Sequence, residues 1–232
     1  MKNGSIISIE NLVKRFPIGG GEFTALNGIN LSFAKGEFTG IVGPSGSGKT
    51  TLLNILGSLD NPSLGVTEVL GTSSADMTPK VAAALRKQRI GFIFQTYNLM
   101  PVYTVYENVE FPLLLLKQPA QERKKAVLEA LEWVGLTDKI KSRPPMLSGG
   151  ESQRVAIARA MVKKPDLVLA DEPTANLDAE NSHHILQTME NLNHELRTTF
   201  VFATHDEKVI GYLRRIIRLE DGKVVSDENI NK

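Results

Sequence analysis

The stretch GPSGSGKT at residues 43–50 carries the most specific chemical signal in the chain. It fits the spacing G-x-x-x-x-G-K-[ST], with Gly43, Gly48, Lys49 and Thr50 in the fixed places. Pro44, Ser45, Gly46 and Ser47 fill the loop, and Thr51 follows it. Glycines let successive N–H groups wrap a phosphate without Cβ clashes. Lys49 then reaches the β/γ-phosphates, and the Thr50 hydroxyl ligates Mg²⁺. The flanks suit this use. FTGIVG reads as a strand, and TLLNILGSL as a helix with Leu52, Leu53, Leu56 and Leu59 on its apolar side. A dinucleotide fingerprint is the competing motif, but it needs a third glycine at position 51, which is Thr51.

A second helix start also looks ready for an anion. LSGGESQRVAIARA at 147–160 places Ser148, Gly149, Gly150 and Glu151 ahead of a run with helical spacing. The reading is a helix opening on bare backbone, whose unpaired N–H groups and dipole attract negative charge. LVLADEP sets Asp171 and Glu172 at the end of an apolar run suited to a strand buried on both faces. Open α/β sheets bind ligands at that edge. There Asp171 can hold magnesium and Glu172 can take a proton from water; alone, such a pair is more often a turn or a cap. His205 follows the FVFAT strand and emerges at the same edge, where a lone histidine is usually structural. Gln95 closes the strand segment GFIF, and its amide either reaches a metal or water or is an exposed loop residue. Phe16, in KRFP, is a core residue or a stacking platform for a nucleobase. His183, His184 and His194 lie on a polar helix face and read as solvated surface.

These groups need a frame. The chain of 232 residues, 41% hydrophobic, can bury a full core. Its beginning is β-rich, with Gly-containing turns. Residues 96–149 change to helical patterning; in QERKKAVLEALEWV, Val127, Ala130, Leu131 and Val134 form one apolar face. Strands return at PDLVLADEP and TTFVFATHD around a helix at 179–196, and RIIRLEDGKVV carries the Asp-Gly turn of a hairpin. Alternating strands and helices argue for a parallel α/β core with helices on both faces. We read 1–232 as one domain, with 1–95 and 150–232 as a core and 96–149 as a helical insertion. NPSLGVTEVLGT is the least regular segment in this reading.

Charge and composition narrow the function. There are 27 basic and 26 acidic residues, a net charge of +1, so no electrostatic footprint for nucleic acid is present. The chain has no cysteine, hence neither disulfides nor thiolate metal sites. MKNGSIISIENLVKRF lacks the apolar core of a signal peptide, and the greasy run FPLLLL is far short of the roughly 20 residues of a spanning helix.

Taken in order, KRFP, GPSGSGKTT, Gln95, LSGGE, LVLADE, NLD at 176–178 and His205 resemble the ABC-type ATPases, the nucleotide-binding subunits of ATP-binding-cassette transporters. The resemblance spans nearly the whole chain and implies a RecA-like P-loop NTPase core with a β-rich N-terminal subdomain and an inserted α-helical subdomain. It implies ATP and Mg²⁺ as ligands and Glu172 as general base, with His205 holding its geometry. Gln95 touches the metal or water, and Phe16 stacks on adenine. Ser148 and Gly150 contact the γ-phosphate of ATP on a second copy, and Asp178 crosses the seam of a head-to-tail, ATP-sandwiched homodimer. FQTYNLMPVYTVYENVEFPLLLL, TANLD and RPPMLSGG are similar to the lipoprotein-release, macrolide-export and cell-division branch. That branch implies a separate integral membrane permease docking near Tyr97 to Tyr103, from the cytoplasmic face of the membrane. Importer motors look alike, so direction stays open; a soluble ABC-type ATPase acting on nucleic acid or ribosomes is disfavoured by the neutral charge.

Overall fold

The computed structural model describes residues 4–230; Met1–Asn3 of the amino-terminal stretch, together with Asn231 and Lys232, lie outside it. Strands β1 (Ser5–Ile18) and β2 (Gly21–Ala34) form a long antiparallel hairpin, and β4 (Leu64–Val69) and β5 (Thr72–Ser73) extend it in the order β2-β1-β4-β5. The second sheet has six strands, β3 (Phe38–Val42), β6 (Ile90–Phe94), β7 (Leu167–Asp171), β8 (Thr199–Thr204), β9 (Arg215–Glu220) and β10 (Lys223–Asn229). Their order is β10-β9-β3-β8-β7-β6; β9, β3, β8, β7 and β6 run parallel, and β10 returns antiparallel at the edge.

The continuous apolar runs have a plain cause. Every residue of β8 is buried; Phe200 and Phe202 enter one hydrophobic cluster, while Val201 and Ala203 enter the other. A strand covered on both faces has no polar side to display. On one face lie α1 (Lys49–Leu56) and the four-stranded sheet, through Leu52, Leu53 and Leu56. On the other lie α3 (Val105–Leu115), α4 (Ala120–Trp133), α5 (Gly149–Met161) and α6 (Ala179–Leu196). Val127, Ala130, Leu131 and Val134 are buried as their spacing requires. Leu59 departs from expectation. It lies past the end of α1 and is 49% exposed, because Gly57 ends the helix and Ser58 turns left-handed.

Two elements went unread in the sequence. Helix α2 (Pro79–Arg89) starts at Thr78, whose hydroxyl accepts from the Val81 N–H, with proline at its first position. NPSLGVTEVLGT resolves into β4, a left-handed Leu70–Gly71 turn and β5. The expected Asp221–Gly222 hairpin turn is present, with φ of 46° and 73°. A short α7 (Glu207–Ile210) follows β8. The parallel core sends the loops after β3, β6, β7 and β8 to one sheet edge, with Val42 beside Thr204 and Phe94 beside Asp171.

Candidate active site

The loop between β3 and α1 is shaped by close backbone approach. A Cβ at Gly43 would lie 2.0 Å from the Leu219 carbonyl oxygen, and one at Gly48 2.7 Å from that of Ala25. Gly48 also holds φ at 103°, which favours glycine. It caps α1 without any side-chain bond, and the first turn carries no acid, so the N–H groups there stay available. Lys49, 8% exposed, folds back along the loop and donates to the Gly43 and Pro44 carbonyls at 2.7 and 2.8 Å. Ser45, Gly46, Gly48, Lys49, Thr50 and Thr51 line a cleft of about 470 Å³. Gly43, Pro44 and Ser47 shape the loop from outside that wall; Ser47 is buried, and its carbonyl accepts from the Gly222 N–H.

Asp171, Glu172, Gln95 and His205 line the same cleft, so the structure brings these four together. Thr50 donates to Asp171 Oδ2 at 3.1 Å. Burial and the neighbouring Glu172 push the Asp171 carboxyl above its ordinary range, against the Thr50 hydrogen bond and Lys49. Two oxygens in contact at a phosphate loop suit a hard cation that takes one or two carboxylates and completes its shell with phosphate and water. Among the described residues no three His, Cys, Asp or Glu side chains gather as a metal cluster. The donor chemistry of Thr50 and Asp171 is compatible with such an ion.

Glu172 is held from three sides. Its backbone sits left-handed at φ 45°, and its N–H donates to the Ala203 carbonyl at 2.9 Å. Oε1 meets His205 Nδ1 at 2.5 Å, and Oε2 accepts from Thr204 Oγ1 at 3.1 Å. The carboxylate is mostly covered (14% exposed) while His205 is open at 68%. Strained backbone of this kind persists where its surroundings over-determine it, and it gathers at functional sites. Thr204 was missed by the sequence reading; its only signal is its place between a buried strand and His205.

Phe16 stands apart from these. It is 36% exposed on β1, with Lys14 Nζ 5.0 Å from its ring centre, and is not among the cleft-lining residues. Its cross-strand partner Phe23 lines the cleft, with Ala25 and Ala175. Gln95 is exposed just beyond β6, and its carbonyl accepts from Asn176 Nδ2 at 3.0 Å. Gln95 faces the cleft; Phe16 belongs to the hairpin beside it.

The start of α5 differs from the bare terminus expected. Ser148 Oγ accepts from the Glu151 N–H at 3.2 Å, and Glu151 Oε2 accepts from the Ser148 N–H at 2.8 Å, a complete capping box. Glu151 also pairs with Lys139 at 3.1 Å, and the Ser148 N–H holds its carboxyl below the usual range. Its carboxylate is therefore committed to the start of the helix. Ser148 and Gly149 are exposed, whereas Gly150 is buried, with room for no Cβ beside Asn181 Oδ1. None of the three lines the cleft of its own chain. Asp178 caps α6, accepting from the Asn181 N–H at 2.8 Å, and its side chain is exposed. His183, His184 and His194 are exposed on α6; His183 meets the Tyr212 hydroxyl and His194 lies 3.0 Å from Arg214 Nη1.

A groove of about 530 Å³ opens on another side. Leu59, Phe92, Phe94, Met100, Phe111 and Leu115 make it apolar, and Arg86, Lys87 and Lys163 are among the remaining lining residues. Burial pulls the Lys163 ammonium down to about 8. Asn98 and Met100 line this groove, whereas Leu99 packs on the core cluster. Arg159, largely covered, donates to the Tyr97 and Asn98 carbonyls at 2.6 Å each, pinning two successive left-handed residues. No helix among the described residues is long and apolar enough to cross a membrane.

A glycine loop on a parallel sheet, with a paired acid and a histidine at the same edge, defines a P-loop nucleotide hydrolase. The family model for ABC transporters matches residues 26–175, and the chain belongs to that family, as an ATP-binding subunit and an ATPase. It is 44% identical over 227 residues to the lipoprotein-releasing system ATP-binding protein LolD of Pseudoalteromonas translucida, covering 98% of each chain. It is 41% identical to the macrolide export ATP-binding/permease protein MacB of Burkholderia pseudomallei, covering 97% of this chain and 34% of that longer one. In structure it is similar to a dimeric ATP-binding cassette of Methanocaldococcus jannaschii in a post-hydrolysis state with ADP and Pi. The TM-score is 0.89 at 40% identity, covering 97% of this chain and 99% of that one.

Proposed function

We propose that the chain hydrolyses ATP as half of a head-to-tail homodimer and drives a separate membrane permease of the export or lipoprotein-release kind. The supporting observation is the Glu172 carboxylate, bonded to His205 and Thr204 beside the Thr50–Asp171 pair. The chain's own glycine loop binds the phosphates, and Lys49 exchanges its two loop carbonyls for phosphate oxygens. Glu172 takes the proton of attacking water while His205 and Thr204 keep its oxygens aimed. Thr50 and Asp171, with Gln95, would hold magnesium, which neutralises charge developing on the phosphates. Phe23, in the cleft wall, supplies the aromatic edge for the base, with Phe16 beside it on the hairpin.

Ser148 and Gly150 stand outside their own cleft, which suits them to the nucleotide of a second copy, with Asp178 at the seam. The permease seat is the groove, with Asn98 and Met100 as the part of Tyr97–Tyr103 that reaches it. Attachment there places the chain peripherally on the cytoplasmic face of the membrane. We treat 96–149 as a helical subdomain that shares this contact with the core, giving the groove Asn98, Met100, Phe111 and Leu115 while the core gives Leu59, Phe92 and Phe94.

The test is phosphate release by the purified chain. Wild type turns over ATP, and Glu172→Gln binds it with turnover lowered by about 10²–10⁴; near wild-type release by Glu172→Gln would sink the base assignment. Leu59→Glu with Leu115→Glu, both at exposed positions, abolishes co-purification with the permease and leaves soluble turnover intact. Undiminished co-purification would move the docking site elsewhere.

A further inference from the structure

Five residues into helix α5 from Ser148, Gln153 is fully buried. Its Nε2 donates to the Pro173 carbonyl at 2.6 Å, from a helix otherwise devoted to apolar packing on this side. Pro173 directly follows Glu172, and the Ala175 N–H closes a turn onto the Glu172 carbonyl at 3.3 Å. The Gln153 Oε1 is buried with no hydrogen-bond partner among the described residues. A half-satisfied buried amide is a poor choice for stability, since an apolar side chain of the same shape avoids the unmet acceptor. Packing alone does not account for it.

We propose that Gln153 is a positioning residue for ATP hydrolysis: it holds the Pro173 carbonyl, fixes the left-handed turn at Glu172 and so aims the carboxylate. The inference rests on the reading of Glu172 as the base. Glu172 is restrained on its amino side by the bond to Ala203; on its carboxyl side the Ala175 N–H holds its own carbonyl and Gln153 holds the next one, that of Pro173. Releasing one of these restraints lets the disfavoured backbone relax, and a displacement of about 1 Å at a reacting group lowers rates by as much as 10²-fold. The same helix grips the Gln95 loop through Arg159, so α5 is bonded to both segments that flank the cleft. A helix end facing a partner's nucleotide is thereby tied to the base of its own chain.

Gln153→Met tests this, because methionine keeps the length and apolar packing while removing both the donor and the unpaired oxygen. The expected result is a kcat about tenfold lower or more, with KM for ATP and Tm unchanged. A lowered Tm with unchanged kcat is the signature of a purely structural residue and overturns the proposal. Glu172→Gln with and without Gln153→Met decides the matter whatever Tm does. If Gln153 acts through Glu172, the second substitution leaves the residual phosphate release of Glu172→Gln unchanged. A further drop equal to that in wild type overturns the proposal. Near wild-type turnover by Glu172→Gln alone would remove the base reading itself. Unchanged kcat in Gln153→Met beside an inactive Glu172→Gln removes only the inference.

Discussion

Helices α1 and α5 both begin where a phosphate could sit, and they are prepared in opposite ways. The start of α1 is stripped: Gly48 caps it in a left-handed conformation, with no side-chain bond and no acid in the first turn. The start of α5 is finished: Ser148 and Glu151 cap each other, and Lys139 neutralises the acid. The first terminus has its donors free and a buried lysine beside them, so it suits holding phosphate alone. The second has spent two donors on itself and carries a carboxylate, so it offers little to a free anion. It suits a phosphate already presented by another body. A helix N-terminus is thus informative only together with its cap.

That contrast can be broken most forcefully at Lys49. Lys49→Met lowers ATP affinity of the single chain by about 30-fold or more, the usual consequence of removing one partner from a covered charge pair. Equilibrium titration with a fluorescent ATP analogue measures it. Glu172→Gln, at the same edge, keeps that affinity and lowers kcat by about 10²–10⁴. Ser148→Ala probes the other seat: loss of the cap lowers stability by about 1 kcal/mol in denaturant unfolding and leaves single-chain ATP affinity as it was.

Glu151→Gln gives the smallest effect. The folded-state pKa of Glu151 is depressed, so its contribution is present above the unfolded value near 4.5 and is lost as pH falls through the folded value. Glutamine keeps the capping box, and the variant's stability is correspondingly flatter across that acid range. Tm measured against pH checks this.

Much of the site was legible because its chemistry demands particular residues at particular spacing. Gly43, Gly48 and Lys49 follow from how a backbone wraps phosphate, and Asp171, Glu172 and His205 from where a parallel sheet delivers its loops. What was not legible depends on contacts between distant segments. Gln153 bonds Pro173 across the helix–sheet packing, and Phe23 on β2, rather than its cross-strand partner Phe16 on β1, lines the cleft. The bare reading of α5 failed for a local reason that Ser148-x-x-Glu151 does encode: it is a capping-box pattern. Likewise Thr78 and Pro79 announce α2, a helix with little apolar periodicity and therefore easily passed over.

The most direct test of the two-seat account is the molar mass of Glu172→Gln with and without ATP, by light scattering, alone and with Ser148→Asp. Aspartate caps a helix as well as serine does, so it preserves the fold while placing a negative charge at the proposed seat of a partner's phosphate. Glu172→Gln is expected to be a monomer without ATP and a dimer with it, and Glu172→Gln with Ser148→Asp to bind ATP yet stay a monomer. Full dimerisation of the doubly substituted chain, or loss of its ATP binding as a monomer, would contradict that expectation.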